Sequence, residues 1–257
     1  MLSPLNLIPP IINLIVIGLF AGVVMSQYAR RHRTYQLYWS IALTMAFIAT
    51  LCYICMLFVG PTSFGGMLLF RFYYILGGAL MPSWLGLGCL ALVAKPRVTV
   101  ICLTALYILS ALATVLIFFA QIDVTALSKV AGTPGTGVLI PGPWLVTIIV
   151  LNTLGVVAIA GVAIYSGWKL VRRQSQTAGF QTFNLVLANV LILVGALING
   201  AAGTLARFLG VQSLFWAIMA VGWIVFFVGV LYTGRRPRAV TQSASNTAPS
   251  EKTAASS

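Results

Sequence analysis

Few residues in this sequence are equipped for chemistry. Cys52 and Cys55 stand one helical turn apart as Cys-Tyr-Ile-Cys, a spacing that membrane thiol oxidoreductases use. Those enzymes also draw on relay cysteines in external loops. The other two cysteines here, Cys89 and Cys102, fall instead near the far ends of two adjoining apolar runs. Packing of two small side chains in a helix is the stronger reading of the pair. Arg71 lies inside an apolar run, with Tyr73, Tyr74 and Arg207 expected at similar depth. Facing inward, it would bind an anionic or carbonyl-bearing ligand; facing outward, it would snorkel to headgroups beside Phe70, Phe72, Tyr73 and Tyr74. Asn13, Asn152, Asn184, Asn189 and Asn199 are further polar groups within apolar runs. Buried amides in lipid seek partners and more often fix helix packing than bind ligands. The candidate ligand-binding set is Arg71, Tyr74, Asn199 and Arg207.

What is missing narrows the chemistry further. The chain has two carboxylates, Asp123 and Glu251, and one histidine, His32 among arginines. A proton relay needs buried Asp, Glu or His, and none is placed for one. Lys95, Lys129, Lys169 and Lys252 all fall at the ends of apolar runs or beyond them, so no mid-membrane lysine is available for retinal. A single histidine provides neither a bis-histidine haem site nor a histidine-rich zinc site. No cofactor, no metal site and no catalytic residue is expected.

The elements that must position these residues follow from composition. The 257 residues are 60% hydrophobic and 7% charged, with a mean hydropathy of +1.04, against roughly 25% charge in a soluble domain. The expected fold is all-α, an integral membrane bundle of seven transmembrane helices. Spans are expected at about 5–28, 38–58, 67–94, 98–119, 144–170, 183–205 and 213–232. They fill a single membrane domain over 1–238 and leave no room for a second. Residues 239–257 are Ala-, Ser- and Thr-rich without aromatics, the composition of a disordered tail. No Lys or Arg precedes the first span, so a cleaved signal peptide is not expected.

Charge distribution sets the orientation. Eleven Lys or Arg residues follow spans one, three, five and seven, against three on the opposite side (Arg71, Lys129 and Arg207). The positive-inside rule puts the N-terminus outside and the C-terminus in the cytoplasm of a multi-pass cell-membrane protein. The net charge of +13 comes in groups between spans rather than along one face, so nucleic acid is not the expected partner. Anionic lipid on the cytoplasmic face is, at about 1 kcal/mol per basic residue near the surface.

The third span carries the oddest residues: Arg71, Gly77, Gly78, Pro82, Gly86 and Gly88. Such residues are costly in lipid unless other helices cover them, so this span should be central. At α-helical spacing Arg71, Tyr74, Gly78, Pro82, Gly86 and Cys89 share one face, a seam for close backbone approach. Gly195 and Gly200 in span six, Gly155 in span five, and Gly222 and Gly229 in span seven extend the small-residue pattern. The longest connection, Gln121 to Gly142, is either a lid or a slack link.

The stretch from Arg71-Phe-Tyr-Tyr through Pro82-Ser-Trp-Leu-Gly-Leu-Gly88, within an N-out, seven-span layout, resembles the third helix of the seven-helix N-terminal membrane regions of bacterial histidine kinases and related signalling proteins. The resemblance implies a sensor. No kinase domain follows Arg238, so output is expected to pass through a membrane or cytoplasmic partner. Three functions remain open: a sensor or accessory subunit, a facilitative transporter or channel, and a thiol oxidoreductase resting on Cys52 and Cys55.

Overall fold

A computed structural model describes residues 4–173, 180–208 and 212–234. The tail expected at 239–257 and the basic group Arg235, Arg236 and Arg238 lie outside the described residues. Among the described residues, seven helices are long and apolar enough to cross a membrane, so the chain is an all-α, multi-pass membrane protein built as a seven-helix bundle. Span one is α1 (Pro4–Arg31) and span two is α2 (Thr34–Val59). Span three is composite: α3 (Phe64–Tyr73), a π-helical turn over Tyr74–Leu80, and α4 (Met81–Val93). Span four is α5 (Pro96–Phe118), and a short α6 (Val124–Ser128) lies in the long connection. Spans five, six and seven are α7 (Pro143–Arg173), α8 (Phe180–Phe208) and α9 (Phe215–Gly234), the last preceded by a 3-10 turn over Gln212–Leu214.

Local chemistry sets the boundaries. Ser63 accepts a hydrogen bond from the Gly66 amide at 2.9 Å and so starts span three, as side-chain N-caps do. Pro96 opens α5, where a missing N–H costs nothing. The long apolar helices leave Ile15, Leu19, Ile101, Ile108, Val157 and Ile164 exposed around the perimeter. In lipid that is the expected outer surface, and burial inside the bundle marks the centre instead. By that measure span three is central, with 61% of its apolar window buried against 22% for span four.

Around span three, α1 packs on α2 and α9, α9 on α8, α8 on α7, and α7 on α4 and α5. Phe20 of span one closes the ring against span seven, with centroids 6.2 Å from Trp223 and 5.0 Å from Phe227. Two seams bring backbones together through glycine. A Cβ on Gly86 would lie 2.8 Å from the Gly155 carbonyl oxygen, and one on Gly155 would lie 2.8 Å from the Ser83 nitrogen. Between spans six and seven, a Cβ on Gly195 would lie 2.6 Å from the Phe226 nitrogen, and one on Gly229 2.9 Å from the Ile192 nitrogen. Van der Waals packing of this kind replaces the hydrophobic drive that lipid does not supply.

One expected packing residue behaves otherwise. Gly200 is exposed, and a Cβ there would be in ordinary contact with Val156 at 3.5 Å; it belongs to no close seam.

Gly155→Val should overfill the span three–five seam and lower stability by about 1–3 kcal/mol. Gly161→Val, at a position where an added Cβ meets nothing within 4 Å, should not. Thermal unfolding of the two variants in one detergent checks the contrast.

Candidate functional site

The break in span three begins with one missing donor. Pro82 has no amide N–H, so the Gly78 carbonyl four residues earlier loses its α-helical partner. In lipid such an oxygen must be satisfied from elsewhere. Here Asn152 of span five donates from Nδ2 to the Gly78 oxygen at 3.0 Å. The turn before the proline widens to π geometry, and the Met81 amide bonds the Leu76 carbonyl five residues back. Ser83 Oγ donates to the Leu80 oxygen at 2.9 Å. An extra residue in one turn shifts every later side chain around the axis by about 100° relative to a continuous α-helix.

That shift corrects the single-face seam. Gly86 faces span five, whereas Gly78 also walls a cavity on the other side, shared with spans one, two and seven. The cavity holds about 70 Å³ and is lined by residues including Asn13, Thr50, Tyr73, Gly77, Gly78, Trp216 and Trp223. Asn13 is 1% exposed; its Nδ2 makes a long contact of 3.5 Å to Thr50 Oγ1, and its Oδ1 has no partner. Trp223, also 1% exposed, keeps Nε1 without a partner. Thr50 itself donates to the Ala46 carbonyl at 2.9 Å.

The long connection is a folded lid rather than a slack link. Ile122 and Leu139 form an antiparallel bridge, with Asp123 N donating to Val138 O at 2.8 Å and Ile140 N to Gln121 O at 3.0 Å. Its own Leu127, Val130, Val138 and Leu139 are buried. Aromatic side chains from three spans hold it by its main chain. Tyr53 OH donates to Val130 O at 3.0 Å and accepts from Gly132 N at 3.0 Å. Tyr73 OH donates to Pro134 O at 3.2 Å, and Trp216 Nε1 to Thr133 O at 3.4 Å. Gly135 has φ of 71°, and a Cβ there would lie 2.7 Å from the Phe70 ring; glycine alone fits that turn. The lid therefore rests on Tyr73 and Trp216, two residues that also wall the cavity.

The described members of the expected ligand-binding set, Arg71, Tyr74 and Asn199, engage separate partners. Arg71 is half-buried; its Nη1 donates to the Ile117 carbonyl at 3.3 Å, with the guanidinium 5.6 Å from the Phe118 ring centroid. It caps the C-terminus of α5, where the exposed carbonyls attract a cation. Asp123 is engaged at the N-terminus of α6, accepting from Thr125 N at 2.8 Å and Ala126 N at 3.0 Å. Tyr74 packs edge-on to Trp144, with centroids 5.7 Å apart. Asn199 lies against Gly222, where any Cβ would collide with its side chain. Arg207 is in the last turn of α8, and its side chain lies outside the described residues, as does that of Asn184. Cys52 and Cys55 are half-buried, free thiols on α2.

Of the cavity walls, Asn13 stands out in the sequence only as one of five amides. Thr50 and Trp223 give no sequence signal, because their meeting depends on how four spans are arranged. No protein-family model matches this chain, and no curated protein matches it either.

Asn152→Leu should destabilise the bundle by about 0.6–1.7 kcal/mol, the range of interhelical hydrogen bonds in membranes. In a Pro82→Ala background, where the restored amide can serve Gly78, the loss should shrink. A double-mutant cycle by reversible unfolding checks this coupling. Tyr53→Phe removes both lid bonds of that hydroxyl, at about 0.5–1.5 kcal/mol each. The Gly132 amide should then exchange hydrogen several-fold faster in mass-spectrometric exchange.

Proposed function

We propose that this chain is a sensor-like or accessory subunit of the bacterial cell membrane, without catalysis of its own, acting through a small ligand or a protein partner. The observation that carries the reading is a lid fastened by three aromatic side chains, two of which also wall a small cavity beside a broken helix. That arrangement suits a protein whose lid and helix break respond to occupancy. A catalytic reading has little to draw on, because the spans contain no carboxylate or histidine. The resemblance of span three to the membrane regions of histidine kinases points the same way, with output passing to a partner. In the N-out orientation, Arg30, Arg31, Arg33, Lys95 and Arg97 would meet anionic lipid on the cytoplasmic face.

A second reading, a facilitative transporter or channel, draws on the helix break itself, since broken helices at mid-membrane are a feature of transporters. The cavity favours the first reading, because about 70 Å³ is roughly half the ~150 Å³ that accommodates benzene.

The test is extraction of the tagged chain from its native membrane into nanodiscs, with mass spectrometry of what is retained and a parallel solute-flux assay in proteoliposomes. A second protein in fixed ratio and no flux are expected. Recovery of the chain alone, together with saturable flux, would overturn the sensor reading in favour of transport.

A further inference from the structure

We infer that the groove between the turn joining spans one and two and the end of span three seats a single anionic phospholipid, with its phosphate at Arg31 and Arg33 and the upper part of an acyl chain along Ala91 and Leu92. The inference rests on the anionic-lipid contact proposed above for this face and gives that contact one defined seat.

The turn builds the basic end of the groove. α1 ends at Arg31 and α2 begins at Thr34, so two residues reverse the chain. Between them His32 takes φ of 49°, and its amide donates to the Tyr28 carbonyl at 2.8 Å. A left-handed residue bends the backbone sharply, and Arg31 and Arg33 on either side of it both line the groove, together with Thr34 and Tyr35. Neither guanidinium has a hydrogen-bond or ion-pair partner among the described residues. The one carboxylate among those residues, Asp123, is engaged at α6. Arg33 also gives α2 no side-chain cap, so the amides of the first turn add to the attraction that the arginines exert on a phosphate.

Charge and apolar surface together select the ligand. The groove is lined by two cationic residues and no carboxylate. Arginine suits phosphate oxygens, whereas the ammonium of a zwitterionic headgroup finds nothing there to pair with. Ala91 and Leu92, on the last turn of α4, form another wall, and Leu92 is 45% exposed at the end of a membrane span. That wall suits hydrocarbon, which a free phosphate does not supply. Tyr35 stands edge-on to Trp39, with centroids 5.7 Å apart, and aromatic residues of this kind belong at headgroup depth. The groove holds about 730 Å³, within the roughly 300–1,000 Å³ of small-molecule sites.

The experiment is a native mass-spectrometric titration of the full-length, delipidated chain in a non-ionic detergent. The probes are phosphatidylglycerol, phosphatidylcholine with the same acyl chains, and glycerol phosphate as the counterpart without chains. One phosphatidylglycerol is expected to bind about fivefold or more tighter than either of the others, the scale of a basic residue acting on anionic lipid. Arg31→Gln combined with Arg33→Gln should weaken it by about fivefold or more. Lys169→Gln combined with Arg172→Gln removes the same charge from residues that lie over Tyr165 and Trp168 of their own helix, and should leave it nearly unchanged. Ala91→Trp keeps both arginines but fills the groove, and should weaken binding too. Thermal unfolding in lipid-free detergent separates lost binding from lost structure, and the three probes on the unaltered chain need no variant. Glycerol phosphate binding as tightly as the lipid would overturn the proposal, as would full binding in folded Ala91→Trp. An equal loss in the two double variants would remove the seat and leave a diffuse attraction of this face for anionic lipid. No preference for phosphatidylglycerol would remove the lipid contact along with the seat. The assay involves no partner protein, so the subunit reading is decided separately.

Discussion

The Gly78 carbonyl is the polar group on which the interior arrangement depends. Pro82 deprives it of its helical partner, and hydrocarbon offers no water to replace it. The Asn152 amide, 3.0 Å away on span five, resolves the deficit and ties two spans at the depth where span three changes from α to π geometry. Below that bond, Gly86 and Gly155 let the two backbones approach within reach of each other's peptide groups. The hydrogen bond and the glycine seam thus act on the same helix pair, one fixing axial register and the other the separation.

The widened turn then has a second consequence. Gly77 and Gly78 of the widened turn line a cavity shared with spans one, two and seven, and its walls join those helices to the lid through Tyr73 and Trp216. Arg71 plays a similar part: it completes the end of α5 by donating to the Ile117 carbonyl. Asn152, Arg71 and the three lid-holding aromatics each serve a backbone group at a proline, a helix end or a loop.

The seven spans were legible because hydrophobic length is a strong signal, although spans three and four begin at Phe64 and Pro96, a few residues before the expected 67 and 98. The centrality of span three was legible too, since lipid would penalise its arginine, proline and glycines. The seams at Gly86, Gly155, Gly195 and Gly229 followed from small-residue spacing. What could not be read was the π-turn, because helical-wheel spacing assumes a constant period and the insertion breaks it. Arg71's partner was hidden for another reason: a backbone carbonyl of span four leaves no mark on residue identity. The cavity needs Asn13, Thr50 and Trp223 brought together from three spans, a juxtaposition that only tertiary structure supplies. The lid was legible as a long connection but not as a folded one, since its bonds to Tyr53, Tyr73 and Trp216 run through its main chain.

The most direct test is a solid-state NMR dipolar-recoupling measurement in bilayers between carbonyl-labelled glycine and side-chain-labelled asparagine, with an Asn152→Leu sample as the blank. A carbonyl–amide coupling matching a hydrogen bond of 3.0 Å, present in the native chain and absent from the blank, is the predicted result. Identical dephasing in the two samples would contradict the account, because span three would then be broken without the bond that is held to organise it.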